Sequence, residues 1–129
     1  MSIQDCINDL VMRGCDDWVD ACGVASVAIH IGHAQTPEEV RELSLQIVRE
    51  VLQQGLMEIG DLPEQGRRLN LWPMTPEECL DRVEREWNAL GKNPMLWEIC
   101  WLQNTEKGNA LGEELFKQRD ASQLQEGND

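Results

Sequence analysis

Apolar residues recur three and four positions apart near the start of the chain, at Ile3, Cys6, Ile7, Leu10 and Val11. Gln4, Asp5, Asn8 and Asp9 lie between them. That spacing predicts an amphipathic helix over 3–12. Gly14 is expected to end it, and Asp16 and Asp17 to cap a second helix whose inner face is Trp18, Ala21, Cys22, Ala25 and Ile29. A third helix announces itself with Thr36 as N-cap, Pro37 at the first helical position and Glu39 three residues after the cap. Val40, Leu43, Ile47, Val48 and Val51 supply its apolar stripe, and Gly55 its end.

The start signal of the third helix recurs at Thr75, Pro76, Glu77 and Glu78. The fourth helix that it opens has the inner face Cys79, Leu80, Val83, Trp87 and Leu90, and Gly91 closes it. Between these helices, Leu56 to Leu62 and Arg68 to Trp72 alternate apolar and polar around the turn Pro63, Glu64, Gln65 and Gly66, which predicts a β-hairpin. Glu98 to Leu102 reads as a third short strand with Ile99 and Trp101 on one face, and Asn109 to about Gln118 as a last helix using Leu111, Leu115 and Phe116. The expected fold is mainly helical, of α+β class: one globular domain over 1–119 with a polar, frayed tail over 120–129. Three helices followed by a hairpin is a winged-helix-like layout, from which the helix before the third strand departs.

Composition narrows the chemistry. The chain of 129 residues carries 24 acidic against 11 basic residues, a formal charge of -13. Twelve acids face three bases in residues 1–65. A field of that sign repels phosphate backbones and anionic lipid and attracts basic proteins, so neither a nucleic acid nor a membrane is the expected partner. The element that would be the recognition helix of a winged helix, the third, has Glu38, Glu39, Glu42 and Glu50 against Arg41 and Arg49. That balance opposes contact with phosphates.

The five cysteines (6, 15, 22, 79 and 100) are odd in number and show no paired spacing. With no basic stretch and apolar run at the start of the sequence, they point to free thiols in a reducing cytoplasm. His30 and His33 stand three apart, yet without a C-x-x-C pair they do not make a zinc signature, and no metal or cofactor is expected. No G-x-S-x-G, Walker or G-x-G-x-x-G motif is present, and Asp16 and Asp17 beside Cys15 oppose a reactive thiolate, so no enzyme is expected.

What remains is surface recognition. Asp16, Asp17 and Asp20 cluster at the predicted start of the second helix, and Glu58, Asp61 and Glu64 at the hairpin. Trp72 stands beside Pro73 and Trp97 shortly after Pro94, where a ring is less surely covered, and so both are candidate anchors in an acidic rim. These eight residues are the expected partner-binding set.

The stretches Gln54-Gly55-Leu56-Met57-Glu58-Ile59-Gly60-Asp61-Leu62, Trp72-Pro73-Met74-Thr75-Pro76-Glu77-Glu78 and Ile99-Cys100-Trp101-Leu102-Gln103-Asn104-Thr105-Glu106-Lys107-Gly108 resemble small bacterial proteins of winged-helix-like layout, over about residues 3–110. In size, acidity and lack of catalytic motifs the chain is also similar to immunity proteins of bacterial toxin–immunity systems, including contact-dependent growth inhibition. That likeness implies binding and occlusion of a basic toxin domain, such as a nuclease. The alternative is a transcription-related winged-helix protein working through protein or nucleic-acid contacts. The sequence leaves the oligomeric state and the partner's identity open.

Overall fold

Threonine hydroxyls open the two central helices. Thr36 accepts the backbone N–H of Glu39 and Thr75 that of Glu78, starting α3 (Pro37–Gln53) and α4 (Pro76–Leu90). At Thr75 the capping box is reciprocal, since the Glu78 carboxylate accepts the Thr75 N–H. At Thr36 the glutamate reaches one residue further and accepts the Gln35 N–H instead. The computed structural model describes residues 3–66 and 68–127. Before α3 come α1 (Ile3–Asp16), β1 (Val19–Asp20) and α2 (Ala21–His30). Between α3 and α4 lie β2 (Met57–Asp61) and β3 (Asn70–Leu71), and β4 (Trp101–Asn104) and α5 (Glu106–Gly127) complete the chain. This is a mixed α+β fold with one antiparallel sheet of order β1-β4-β2-β3.

The core lies between the sheet and the helices. Leu10 and Val11 of α1, Val24 and Val27 of α2, Ile47, Val48 and Val51 of α3 and Val83 of α4 are buried with Met57, Ile59 and Leu102 of the sheet. The predicted inner faces of α1 and α3 are therefore the observed ones, and so is that of α4 except for Leu90, which is half-buried and outside the core. The hairpin is also present, as β2 and β3 with Gly60 opposite Leu71 and Asp61 opposite Asn70. A side chain at Gly60 would stand on the Asn70 carbonyl, so only glycine lets these strands approach.

Several expected boundaries move. Gly14 does not end α1: the helix runs on to Asp16, and Gly14 is where the Asn104 side chain rests on it, donating to the Val11 carbonyl at 2.9 Å. Asp16 and Asp17 do not cap α2. Asp20 does, accepting the Gly23 N–H at 2.8 Å, and Trp18 precedes β1 rather than lining α2. The third predicted strand begins later, at Trp101, and lies between β1 and β2 in the sheet.

The last helix starts earlier and extends further than expected. Thr105 caps it, accepting the Gly108 N–H, and also donates its hydroxyl to the Gly55 carbonyl at 2.6 Å. Lys107 donates to the Gln54 carbonyl at 2.7 Å, so the start of α5 is stapled to the end of α3. Beyond Gln118 the helix continues to Gly127 where an irregular tail is expected; no glycine or proline interrupts residues 113–126, and most of them favour helix. Residues 128 and 129 of the expected tail lie outside the described residues. Among the described residues no helix is long and apolar enough to cross a membrane.

Candidate functional site

After Gly91 closes α4, the chain takes nine residues to reach β4, and there it presents an apolar prow. Met95, Leu96 and Trp97 are consecutive and are 62%, 73% and 73% exposed. Exposed apolar residues scattered singly are ordinary, but three in succession with a tryptophan among them are not. The loop that carries them is tightly closed. The Glu98 N–H donates to the Met95 carbonyl, completing a β-turn, while the Met95 N–H donates to the Glu98 carboxylate at 2.7 Å. Trp97 occupies the third position of that turn at φ 71°, a place that glycine usually fills. The next turn is tighter still: the Cys100 N–H donates to the Glu98 carbonyl around Ile99, a β-branched residue at φ 72°. Left-handed backbone at such a residue is strained and persists only where its surroundings hold it.

Asp20 is part of what holds it. Its carboxylate, 7% exposed, accepts two backbone donors, Gly23 N–H through one oxygen and Trp97 N–H through the other, each at 2.8 Å. The register explains the meeting. Asp20 of β1 stands opposite Trp101 of β4, only four residues beyond Trp97, and Trp101 stands opposite Gly60 of β2.

Carboxylates gather behind the loop. Cys100 is buried, and its thiol pKa is pushed up first by desolvation and then by the charges of Glu86, Asp20 and Asp61. Burial and the charges of Asp20 and Glu98 raise the Cys22 thiol as well. Arg82 pairs with Glu86 at 2.9 Å and stacks 3.8 Å from the centre of the Trp72 ring, and Lys92 lies 4.0 Å from Glu98. The apolar prow therefore stands on an acidic base.

The expected site residues separate into distinct groups. Trp97 is exposed as anticipated. Trp72 is a correction: it is 6% exposed, packed in the core under Arg82, and offers no ring to a partner. Asp20 is a second correction, since it is buried and spends both oxygens on backbone donors instead of forming an open acidic patch with its neighbours. Asp16 and Asp17 are exposed, and with Cys15, Trp18, Asn104 and Asn109 they border a polar cleft of about 310 Å³. Asp16 continues a face of α1 that holds Asp5 and Asp9, where Arg13 pairs with Asp9 at 2.8 Å. Burial and the Asp16 charge raise the Cys15 pKa, against a lowering hydrogen bond from Asn104. Glu58 is half-buried and accepts the Gln103 amide at 3.0 Å, whereas Asp61 and Glu64 are exposed beyond it.

Met95, Leu96, Glu86 and Glu98 were outside the expected set. The available signal was the unbroken triplet Met95-Leu96-Trp97, which fits neither a helical nor a strand period and follows Pro94. No protein-family model, curated protein or solved structure matches the chain.

Proposed function

We propose that this chain is an immunity-type protein that binds a basic toxin domain and occludes it, with the Met95-Leu96-Trp97 turn as the central apolar anchor. The observation that carries the reading is the geometry of Trp97: 73% exposed, in left-handed backbone, and tied at its own N–H to a buried carboxylate. Exposed tryptophans dominate many protein interfaces, and a loop already fixed in its presenting conformation loses little entropy on binding. A charge of -13 selects basic partners and speeds their approach. A nuclease domain, basic because it must hold phosphates, fits that selection.

The finer fold reading, winged-helix-like, is supported by the order α1, β1, α2, α3 and β2, with β1 and β2 flanking β4 in one antiparallel sheet. In such a fold α3 would enter a DNA groove. Here Arg41 of α3 is engaged by α4, donating to Asn88 at 3.0 Å and lying 3.8 Å from Glu84. Glu38, Glu39 and Glu42 are exposed beside it, which favours a protein partner over nucleic acid.

The test is genetic and direct. The adjacent gene is expected to encode a larger protein with a basic domain that arrests growth when expressed alone. Co-expressing this chain should restore growth, and the Leu96→Ala, Trp97→Ala double variant, still folded, should not. Arrest that the wild-type chain fails to relieve overturns the reading.

A further inference from the structure

We infer that the shallow cleft beside Trp97 receives a lysine or arginine side chain of the partner protein, an inference that rests on the loop being the partner anchor. Glu86, Ala89, Leu90, Glu98 and Ile99 line this cleft, about 480 Å³ between the second half of α4 and the turn that follows Trp97. Three of the five are apolar, and both of the others are carboxylates. That is the complement of an amphipathic cation, whose aliphatic stem lies on apolar surface while its charged head meets the acids.

The charge balance favours the same occupant. Glu86 is matched by Arg82, and Lys92 reaches Glu98 only at 4.0 Å with its own side chain 54% exposed. Asp20 and Asp61 act on the same neighbourhood, since both contribute with Glu86 to the rise of the Cys100 thiol pKa. Among the described residues the lining thus carries two carboxylates and no lysine or arginine. An anionic ligand is repelled there, and a purely apolar one would desolvate Glu98 without a compensating charge. Trp97, exposed, directly precedes Glu98 of the lining in the chain.

The probe is a capped tripeptide, acetyl-Ala-Arg-Ala-amide, titrated into the full-length, isotopically labelled chain. A citrulline analogue of the same shape and no charge is the comparison. The arginine peptide should saturably shift the Trp97 indole N–H and the Ala89 and Ile99 methyl signals, and bind at least about fivefold more tightly than the citrulline peptide. Glu86→Gln with Glu98→Gln should erase that preference while preserving the fold, because a glutamine amide oxygen can still accept the Met95 N–H. Equal binding of the two peptides, or shifts centred on Asp16 and Asp17 instead, overturns the assignment. A cleft indifferent to arginine, with toxin binding still lost in Trp97→Ala, sinks the cleft and spares the loop. Arginine selected by the cleft, with toxin binding unchanged in Trp97→Ala, supports a cation site here and sinks the loop reading.

Discussion

The Asp20 carboxylate and the Trp97 backbone N–H, 77 residues apart in the chain, meet at 2.8 Å. One buried side chain thereby caps α2 and fixes the turn that displays the most exposed tryptophan. Asparagine at position 20 retains a single acceptor oxygen, so it can serve Gly23 or Trp97 but not both, and its amide group then faces a second donor. Asp20→Asn should cost about 1–3 kcal/mol in urea unfolding, the penalty for a buried donor left unpaired. Amide exchange at Trp97 should quicken relative to that at Val27.

Trp97 itself should behave in the opposite way. Its side chain is exposed and its backbone occupies the left-handed region, so the residue contributes little packing and carries strain. Trp97→Gly should leave stability unchanged or raise it by up to about 1 kcal/mol while abolishing partner binding, a separation expected of a functional residue and not of a structural one. A urea midpoint that falls as far as that of Asp20→Asn would place Trp97 among the residues that hold the fold.

Gly108 sets helix propensity against packing. In a helix interior, alanine is ordinarily better than glycine by about 1 kcal/mol. Gly108 lies in the first turn of α5, and a β-carbon there would stand on the backbone carbonyl of Leu56, which cannot rotate away. Gly108→Ala should therefore lower the melting temperature, where helix propensity alone predicts a rise. A rise would mean that α5 can lift from Leu56 at little cost.

The thiols give a pH signature. Burial raises the pKa of all five above the ordinary value of 9.0, most of all for Cys100, which is 2% exposed. Below about pH 9 the folded and unfolded chains are both protonated at sulfur, and the stabilisation is fully present. Above it the unfolded chain releases protons that the folded chain retains, so stability falls as pH rises, by at most ~1.4 kcal/mol per pH unit for each thiol. The chain has no tyrosine to blur this window. Unfolding free energies between pH 8 and 10.5 should decline, and Cys100→Ala should decline less steeply from its own starting value. Parallel slopes would assign the alkaline loss to other groups.

Local signals were readable and long-range ones were not. The Thr-Pro-Glu-Glu starts of α3 and α4 and the inner faces of α1, α3 and α4 follow from spacing within one turn or a few. Asp16 and Asp17 resembled a cap because an aspartate pair before an apolar run is one locally; the true cap, Asp20, is chosen by the pairing of Val19 with Leu102, which no local pattern encodes. Gly14 resembled a terminator because its partner, Asn104, lies 90 positions away. Trp72 and Trp97 follow the same local rule, each close to a loop proline, and only tertiary structure separates them by placing Arg82 over the first and nothing comparable among the described contacts over the second. The candidate site was therefore half legible: its anchor could be named, while its scaffold and its acidic cleft could not.

The partner's binding kinetics should divide the acidic surface from the anchor. Asp16 and Asp17 are exposed at the end of α1, Asp16 in line with Asp5 and Asp9, on the rim of the polar cleft. Charges so placed act at a distance: they accelerate encounter, are screened by salt, and influence the bound state little. Trp97 has no such reach, and its contribution begins only once the surfaces touch. With the proposed basic toxin domain as ligand, Asp16→Lys with Asp17→Lys should lower the association rate constant about tenfold at low salt and flatten its salt dependence, with dissociation nearly unchanged. Trp97→Ala should leave association within about twofold and speed dissociation by a hundredfold or more, as the loss of a central anchor does. Asp20 is left out of the charge reversal because its burial would confuse a folding defect with a kinetic one. If reversal at Asp16 and Asp17 alters dissociation while Trp97→Ala does not, the interface lies along α1 and the exposed turn has no part in it.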